Sequence, residues 1–520
     1  MTGGEAIQIA QATGIGTQTG TALALSDQYA MLTIVVPLFG AGIAALMPRA
    51  GLAWGVATIA TIVSAICAAL LLVDVTATGA VQSYAVGGWL PPYGIEYRID
   101  LLNAYVLAIV AGVAAFMMPF ALRTVPLDVP TQLQPWYYAA YLLCLCGLLG
   151  MAASGDAFNI FVFMEISSLA TYVLIAMGRD KRALIAAYQY LIVGTIGATF
   201  YVIGIGLLYI VTGTLNLADL ATRLGDVYAV SPRAIEAALA FIVVGIGLKL
   251  ALFPLHVWLP NAYTFAPPFA TVFLAATATK VAIYVLVRLY FSTFGGAIEV
   301  SNLPITEAIL VLAITAMFAA SFLAFYENRI ERMLAYSSVA QVGYIMLGVS
   351  LANESGLTGG LVHIQNHAVS KALLFIAVGA IVARMGHVYL DKLAGVGRQM
   401  PITMGAFVVG GLSIIGVPGT AGFISKWHLG TGAMEADAPL LVFMIVASSI
   451  IAVLYIGRFI EIAYFRPVSE ECQNARDPGP MIMLPIVAFA AAVIYFGLDT
   501  TWSADVARSA AAYLLAGLQQ

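Results

Sequence analysis

Residues 357–375 read LTGGLVHIQNHAVSKALLF, an apolar run in which His363, His367 and Lys371 recur at every fourth position. In a helix that spacing stacks the three on one face. Ionisable groups at membrane depth are costly and commonly mark ion pathways, so the row points to proton handling inside a membrane helix. The bland alternative is a set of polar residues satisfied one by one by neighbouring helices; two imidazoles and an amine in a single register favour function.

The rest of the chain supplies that membrane setting. Of 520 residues, 62% are hydrophobic and 9% charged, with a mean hydropathy of +0.97, where soluble domains carry roughly a quarter charged residues. Apolar runs of about twenty residues suit transmembrane helices rather than the short alternating strands of a barrel. The expected fold is an all-α polytopic membrane protein of about fourteen spans. They fall near Tyr29–Pro48, Leu52–Asp74, Ile99–Leu122, Trp136–Ala153, Ala157–Gly178, Leu184–Val211, Arg233–Pro260, Pro267–Phe294, Pro304–Tyr326, Ile330–Leu351, Leu357–Met385, Pro401–His428, Pro439–Phe465 and Pro480–Leu498. Met1 to Gln28 is expected to remain as a polar lead-in, and residues 75–98, with GGWLPPYG, as a turn-rich surface loop or hairpin. Leu215–Pro232 reads as an amphipathic connector and Ser503–Gln520 as a short terminal helix. Residues 29–135 thus hold three spans, 136–466 ten, and 467–520 the last span and tail.

Charge placement tests this topology. With the N-terminus outside, the inner loops hold Arg49, Arg123, Arg179, Lys181, Arg182, Arg329, Arg332, Arg384, Lys392, Arg398, Arg466 and Arg476, and the outer segments only Arg98, Arg223, Arg233 and Arg508. Twelve against four follows the positive-inside rule, placing the chain in a cytoplasmic membrane with both termini outside. Net charge of −4 says little, and nothing is basic enough for nucleic acid. Cys67, Cys144, Cys146 and Cys472 read as packing residues, since Cys144 and Cys146 do not share a helix face.

Among the remaining basic residues, Arg288 and Arg458 fall toward span ends, from which they can reach the interface, whereas Lys249, Lys280, Lys371 and Lys426 lie deep. Arginine stays charged almost everywhere; a buried lysine can give up its proton. Glu165 is the carboxylate set deep in a span and is read as modulating a lysine, the alternative being a static ion pair. Pro254 in FPLHVW and the stretch GVPGTAG should break spans seven and twelve, placing Lys249 before one break and Lys426 after the other. Paired breaks at membrane depth are a mark of transporter ion sites. His256, just past Pro254, is a possible relay or a residue near the surface; His387 and His428 read as solvated.

GLKLALFPLHVWLPNAYTFAPPFATVFLAATATKVAIYVLVR, ERMLAYSSVAQVGYIMLG and LVHIQNHAVSKALLF resemble the signatures of the antiporter-like proton-translocating subunits of respiratory complex I, membrane-bound hydrogenases and Mrp-type cation/proton antiporters. The resemblance covers roughly Trp136 to Arg466 and is greatest to the D subunit of Mrp-type Na+/H+ antiporters. It implies two inverted five-helix repeats, spans four to eight and nine to thirteen, each with a broken helix. It also implies a paired glutamate and lysine at Glu165 and Lys249, a bridging lysine at Lys280, a central connection at His363, His367 and Lys371, and a terminal lysine at Lys426. Lys426 sets the chain apart from a complex I subunit type with glutamate there. APPFATVFLAATATK departs from the family, which commonly has serine and smaller residues after the first proline.

The resemblance implies a proton-translocating subunit of a multisubunit Na+/H+ antiporter, with two half-channels joined at the membrane centre. The alternatives are a proton-pumping subunit of a complex I-like or hydrogenase-linked oxidoreductase, and a proton-conducting partner of an inorganic-carbon uptake system. Expected partners are other membrane subunits, protons and Na+. No cofactor or metal motif is read, and the chain is expected to have no catalytic chemistry of its own.

Overall fold

The computed structural model describes residues 25–295, 304–386 and 389–516. Most of the expected polar lead-in, His387 and the end of the expected terminal helix lie outside those residues.

The elements follow in order: α1 Tyr29–Ala45, α2 Ala50–Thr78, the strands β1 Gln82–Ala85 and β2 Glu96–Ile99, α3 Leu101–Asp128, α4 Gln134–Ala153, α5 Ala157–Ala176, α6 Arg182–Thr212, α7 Leu217–Val230, α8 Pro232–Leu250, α9 Trp258–Phe265, α10 Pro268–Ala276 and α11 Ala278–Val287. After these come α12 Ile305–Tyr326, α13 Ile330–Leu351, α14 Glu354–Met385, α15 Pro401–Ile415, α16 Ala421–Glu435, α17 Pro439–Phe465, α18 Pro480–Leu498 and α19 Thr501–Ala516. Among the described residues, twelve helical stretches are long and apolar enough to cross a membrane. The pairs α8/α9 and α15/α16 complete the fourteen spans, so the chain is a multi-pass membrane protein. β1 and β2 form an antiparallel hairpin with Ser83 opposite Arg98.

Polar residues fix the helix starts. Asp100 accepts hydrogen bonds from the Leu102 and Asn103 amides while Asn103 Oδ1 accepts from the Asp100 amide, a reciprocal cap on α3. Asp156 caps α5, Asn216 caps α7 and Asn353 caps α14 in the simpler one-way form. Helices on the outside, α2, α6 and α17 among them, turn Ile59, Leu184, Ile210 and Phe443 outward, as a lipid-facing surface requires. The inside is organised around α14, which packs against α3, α10, α13, α15, α16, α18 and α19.

The breaks show how backbone groups are satisfied at depth. α8 ends at Leu250, Ala251 is left-handed at φ 60°, and the chain turns before α9 resumes and runs on to Phe265, past the expected end at Pro260. The Trp258 indole donates to the Leu248 carbonyl across this break, at 2.9 Å. α15 ends at Ile415, Gly416 takes φ 91°, and α16 continues beyond His428 to Glu435. A third break, not expected from the sequence, parts α10 from α11 at Thr277, where no proline or glycine marks it. Tyr263 donates to the Leu274 carbonyl there, at 3.1 Å.

One reading is corrected outright. Arg288 does not reach the interface: it is buried against Asp100 at 2.6 Å, because the capping residue of α3 is folded onto the end of α11.

Candidate functional site

α5 and α8 bring Glu165 and Lys249 together. Lys249 Nζ lies 3.7 Å from Glu165 Oε1 and donates to Ser168 Oγ, one helical turn along α5. The partners differ in setting: the Lys249 side chain is buried, whereas that of Glu165 is 26% exposed, with its Oε1 buried beside the amine. Tyr172 flanks the amine and fits only because residue 194 is glycine; a Cβ there would stand 2.1 Å from its hydroxyl.

A second group surrounds α14. The His363, His367 and Lys371 side chains are all buried. His363 Nε2 lies 2.9 Å from Gln341 Oε1 and its Nδ1 2.7 Å from Ser425 Oγ, so one nitrogen meets a carbonyl oxygen and the other a hydroxyl. That pairing suits the tautomer with the proton on Nε2. His367 stacks parallel to His363, with centroids 6.1 Å apart, and neither of its ring nitrogens has a hydrogen-bond partner among the described residues. Lys371 Nζ donates to the Leu334 carbonyl and to Ser337 Oγ.

Lys280 and Lys426 join this group through the breaks. Lys280 Nζ donates to the Ala275 carbonyl, released where α10 stops, and to Thr279 Oγ1 at 3.3 Å. Lys426 Nζ donates to Ile414 O at 3.0 Å, Ile415 O at 2.9 Å and Ser449 Oγ at 2.8 Å, and lies 4.3 Å above the Tyr344 ring. In both cases the amine takes the place of the missing backbone donors at a helix C-terminus, where the helix dipole supplies about half a negative charge. Among the described residues Lys280, Lys371 and Lys426 have no carboxylate partner, and the helix ends replace it for two of them. The acceptor counts differ too: Lys426 meets three acceptors, enough for all three ammonium donors, and a π face, while Lys280 meets two acceptors and Lys371 meets two with the Phe375 ring 5.9 Å away.

The structure therefore brings the expected residues together as two groups. Lys280 lies within electrostatic range of His363, His367 and Lys371, and Lys426 within range of His363. No hydrogen bond or ion pair among the described residues joins this group to Glu165 and Lys249. His256 belongs to neither: its ring stacks on Phe253, 4.9 Å between centroids, and edges toward Tyr336. Sequence reasoning missed Ser337, Gln341 and Tyr344. Their spacing of four and three residues in α13 puts them on one face, a signal that polar residues other than His and Lys could have carried. Ser168, Ser425, Ser449 and the Ala275 carbonyl leave no such mark.

The family model described as NADH:quinone oxidoreductase/Mrp antiporter, TM matches residues 154–452. The N subunit of the NADH-quinone oxidoreductase of Desulforudis audaxviator is 40% identical over 90% of this chain and 95% of its own length. The D subunit of the Na(+)/H(+) antiporter of Bacillus subtilis is 26% identical over 94% of this chain and 97% of its own. In the solved membrane-bound sulfane sulfur reductase, an archaeal respiratory membrane complex, one chain superposes with a TM-score of 0.85 at 30% identity, covering 94% of this chain and 100% of that one.

Proposed function

The chain belongs to the NADH:quinone oxidoreductase/Mrp antiporter transmembrane family, and from that premise we propose that it translocates protons as one subunit of a multisubunit membrane complex, along Lys249, Lys280, the row His363–His367–Lys371, and Lys426. The observation that carries this reading is the grouping around α14: five buried titratable side chains from three spans, the three lysines held by carbonyls and hydroxyls that can accept from an amine as well as an ammonium.

Glu165 acts on Lys249. While the two are close the carboxylate favours the ammonium; when Glu165 moves away, Lys249 passes its proton inward. Protons move between Lys280 and Lys426 through the imidazoles, and the complete cradle of Lys426 makes it the end station. A polar cavity of about 600 Å³ lined by Asp128, Arg329 and Glu331 lies where α3 ends and α10 begins and suits an inner entry. The arginine and lysine distribution supports an orientation in a cytoplasmic membrane with both termini outside.

The relatives support two settings for the complex. The 40% identity to an oxidoreductase N subunit supports a redox-linked pump, with electron transfer in partner subunits. Exchange against Na+, the reading of the antiporter resemblance, is the second and rests on the likeness to an antiporter D subunit. The experiment is proton flux in everted vesicles holding the purified complex, with and without a Na+ gradient. Flux that requires Lys280 and Lys426 supports translocation through this chain, and dependence on Na+ selects the antiporter. Normal flux with both lysines replaced would sink the proposal.

A further inference from the structure

The span that carries Lys280 has a cavity at each end. The inner one, of about 600 Å³, touches Pro268 at the start of that span. The other, of about 750 Å³, lies at the opposite end of the same span and is lined by Arg98, Asp100, Asp226, Tyr284, Arg288 and Ser292. From Lys280 outward, Tyr284 and Arg288 follow at successive fourth positions along α11, and the helix then widens into a π-helical turn over Arg288–Thr293. Arg288 Nε lies 3.4 Å from the Tyr284 hydroxyl and Nη1 3.4 Å from Ser292 Oγ, so polar side chains run from Tyr284, one turn beyond the lysine, into the outer cavity. A lysine open to both ends would be a leak rather than a pump.

We propose that the Arg288–Asp100 ion pair is a plug that closes this outer route to Lys280; the proposal rests on the reading of Lys280 as a proton carrier. The pair sits across the row, with Nη2 2.6 Å from Asp100 Oδ1 and both side chains buried. A guanidinium has no free lone pair and keeps its proton, so it interrupts a proton row and its charge repels an incoming cation. The same Asp100 oxygen is also taken by the Leu102 and Asn103 amides, which ties the plug to the fixed start of α3. Arg288 is thus a positioning residue, setting the direction in which Lys280 exchanges protons.

Two measurements on the assembled complex in vesicles test this. Ser292→Cys and Tyr284→Cys, at residues that line the cavity, should react with a membrane-impermeant thiol reagent added from the cavity side with Arg288 intact, while Lys280→Cys should react only when Arg288→Ala is added. Arg288→Ala should also raise passive proton permeability severalfold, and Arg288→Lys, whose amine can give up its proton, should leave part of that leak open. Labelling of Lys280→Cys beside an intact Arg288 overturns the plug, as does an Arg288→Ala complex with neither labelling nor leak. If Arg288→Ala does not assemble, Asp100→Asn, which keeps a capping oxygen but removes the counter-charge, carries the same two readouts. Adding Lys280→Met to the leaking variant should close the leak; persistence overturns the link between cavity and lysine. Normal driven transport in Lys280→Met alone is the separate result that would count against the transport reading.

Discussion

Lys249 Nζ stands 3.7 Å from Glu165 Oε1, beyond hydrogen-bond reach, while donating its bond to Ser168 Oγ instead. The two charges are close enough to attract and too far apart to be locked, and one of them is partly exposed. Such a pair can separate without breaking a direct hydrogen bond, which suits a modulating carboxylate better than a structural clamp.

Glu165→Gln should leave the complex assembled, with a stability loss below the ~3–5 kcal/mol of removing one partner of a fully buried pair, because Glu165 is partly exposed and Lys249 can lose its proton, yet reduce proton flux in vesicles to near background. Lys249→Ala should do the same to flux. Full flux in either variant would remove the pair from the pathway, and loss of assembly in both would favour the static ion pair.

The two stacked histidines should part company under mutation. His363→Ala strands Gln341 Oε1 and leaves Ser425 with its bond to the Gly422 carbonyl, at a cost of about 1–3 kcal/mol for the group left unpaired. His367→Ala strands nothing, because its nitrogens have no partner among the described residues. Thermal unfolding should show the larger loss for His363→Ala, while flux per assembled complex falls in both. Unchanged flux per complex in His367→Ala would leave that ring as packing.

Gly416→Ala should disturb Lys426 without touching it chemically. The backbone there is left-handed at φ 91°, and a Cβ would approach Lys426 Cδ to 2.8 Å. The conformation alone costs an alanine roughly 1–2 kcal/mol. The expected outcome is a lower unfolding temperature together with slower flux, and Ser449→Ala, which removes one acceptor from the same amine, should slow flux with a smaller stability loss.

Ser337→Ala tests a residue that only the structure singles out. It leaves Lys371 with the Leu334 carbonyl as its remaining hydrogen-bond acceptor, a loss of about 1–3 kcal/mol if the amine stays charged. Flux should drop severalfold, and Ser337→Thr, which keeps the hydroxyl, should recover it. Equal flux in both variants would show that the hydroxyl is not needed.

Much of this protein was legible in its sequence because a membrane allows few solutions. Apolar runs of fixed length must be helices, and the last two spans were read to the residue at Pro439–Phe465 and Pro480–Leu498. The rows of lysine and histidine stood out because charge at depth is rare. Pro254 and GVPGTAG announced two breaks, since proline and glycine carry their backbone consequences locally. Thr277 announced nothing: that break is held by Tyr263 and Lys280 capping the freed carbonyls from 11 and 5 residues away, contacts that no proline or glycine marks.

What the sequence determined by itself, then, is that the chain crosses a membrane many times with titratable groups in its middle. What only the tertiary structure decided is how those groups are held. Backbone carbonyls at broken helix ends stand in for carboxylates at Lys280 and Lys426, and Asp100 meets Arg288 from 188 residues away. Carbonyls have no letter in the sequence and long-range pairs have no spacing, so neither can be read before the helices are packed.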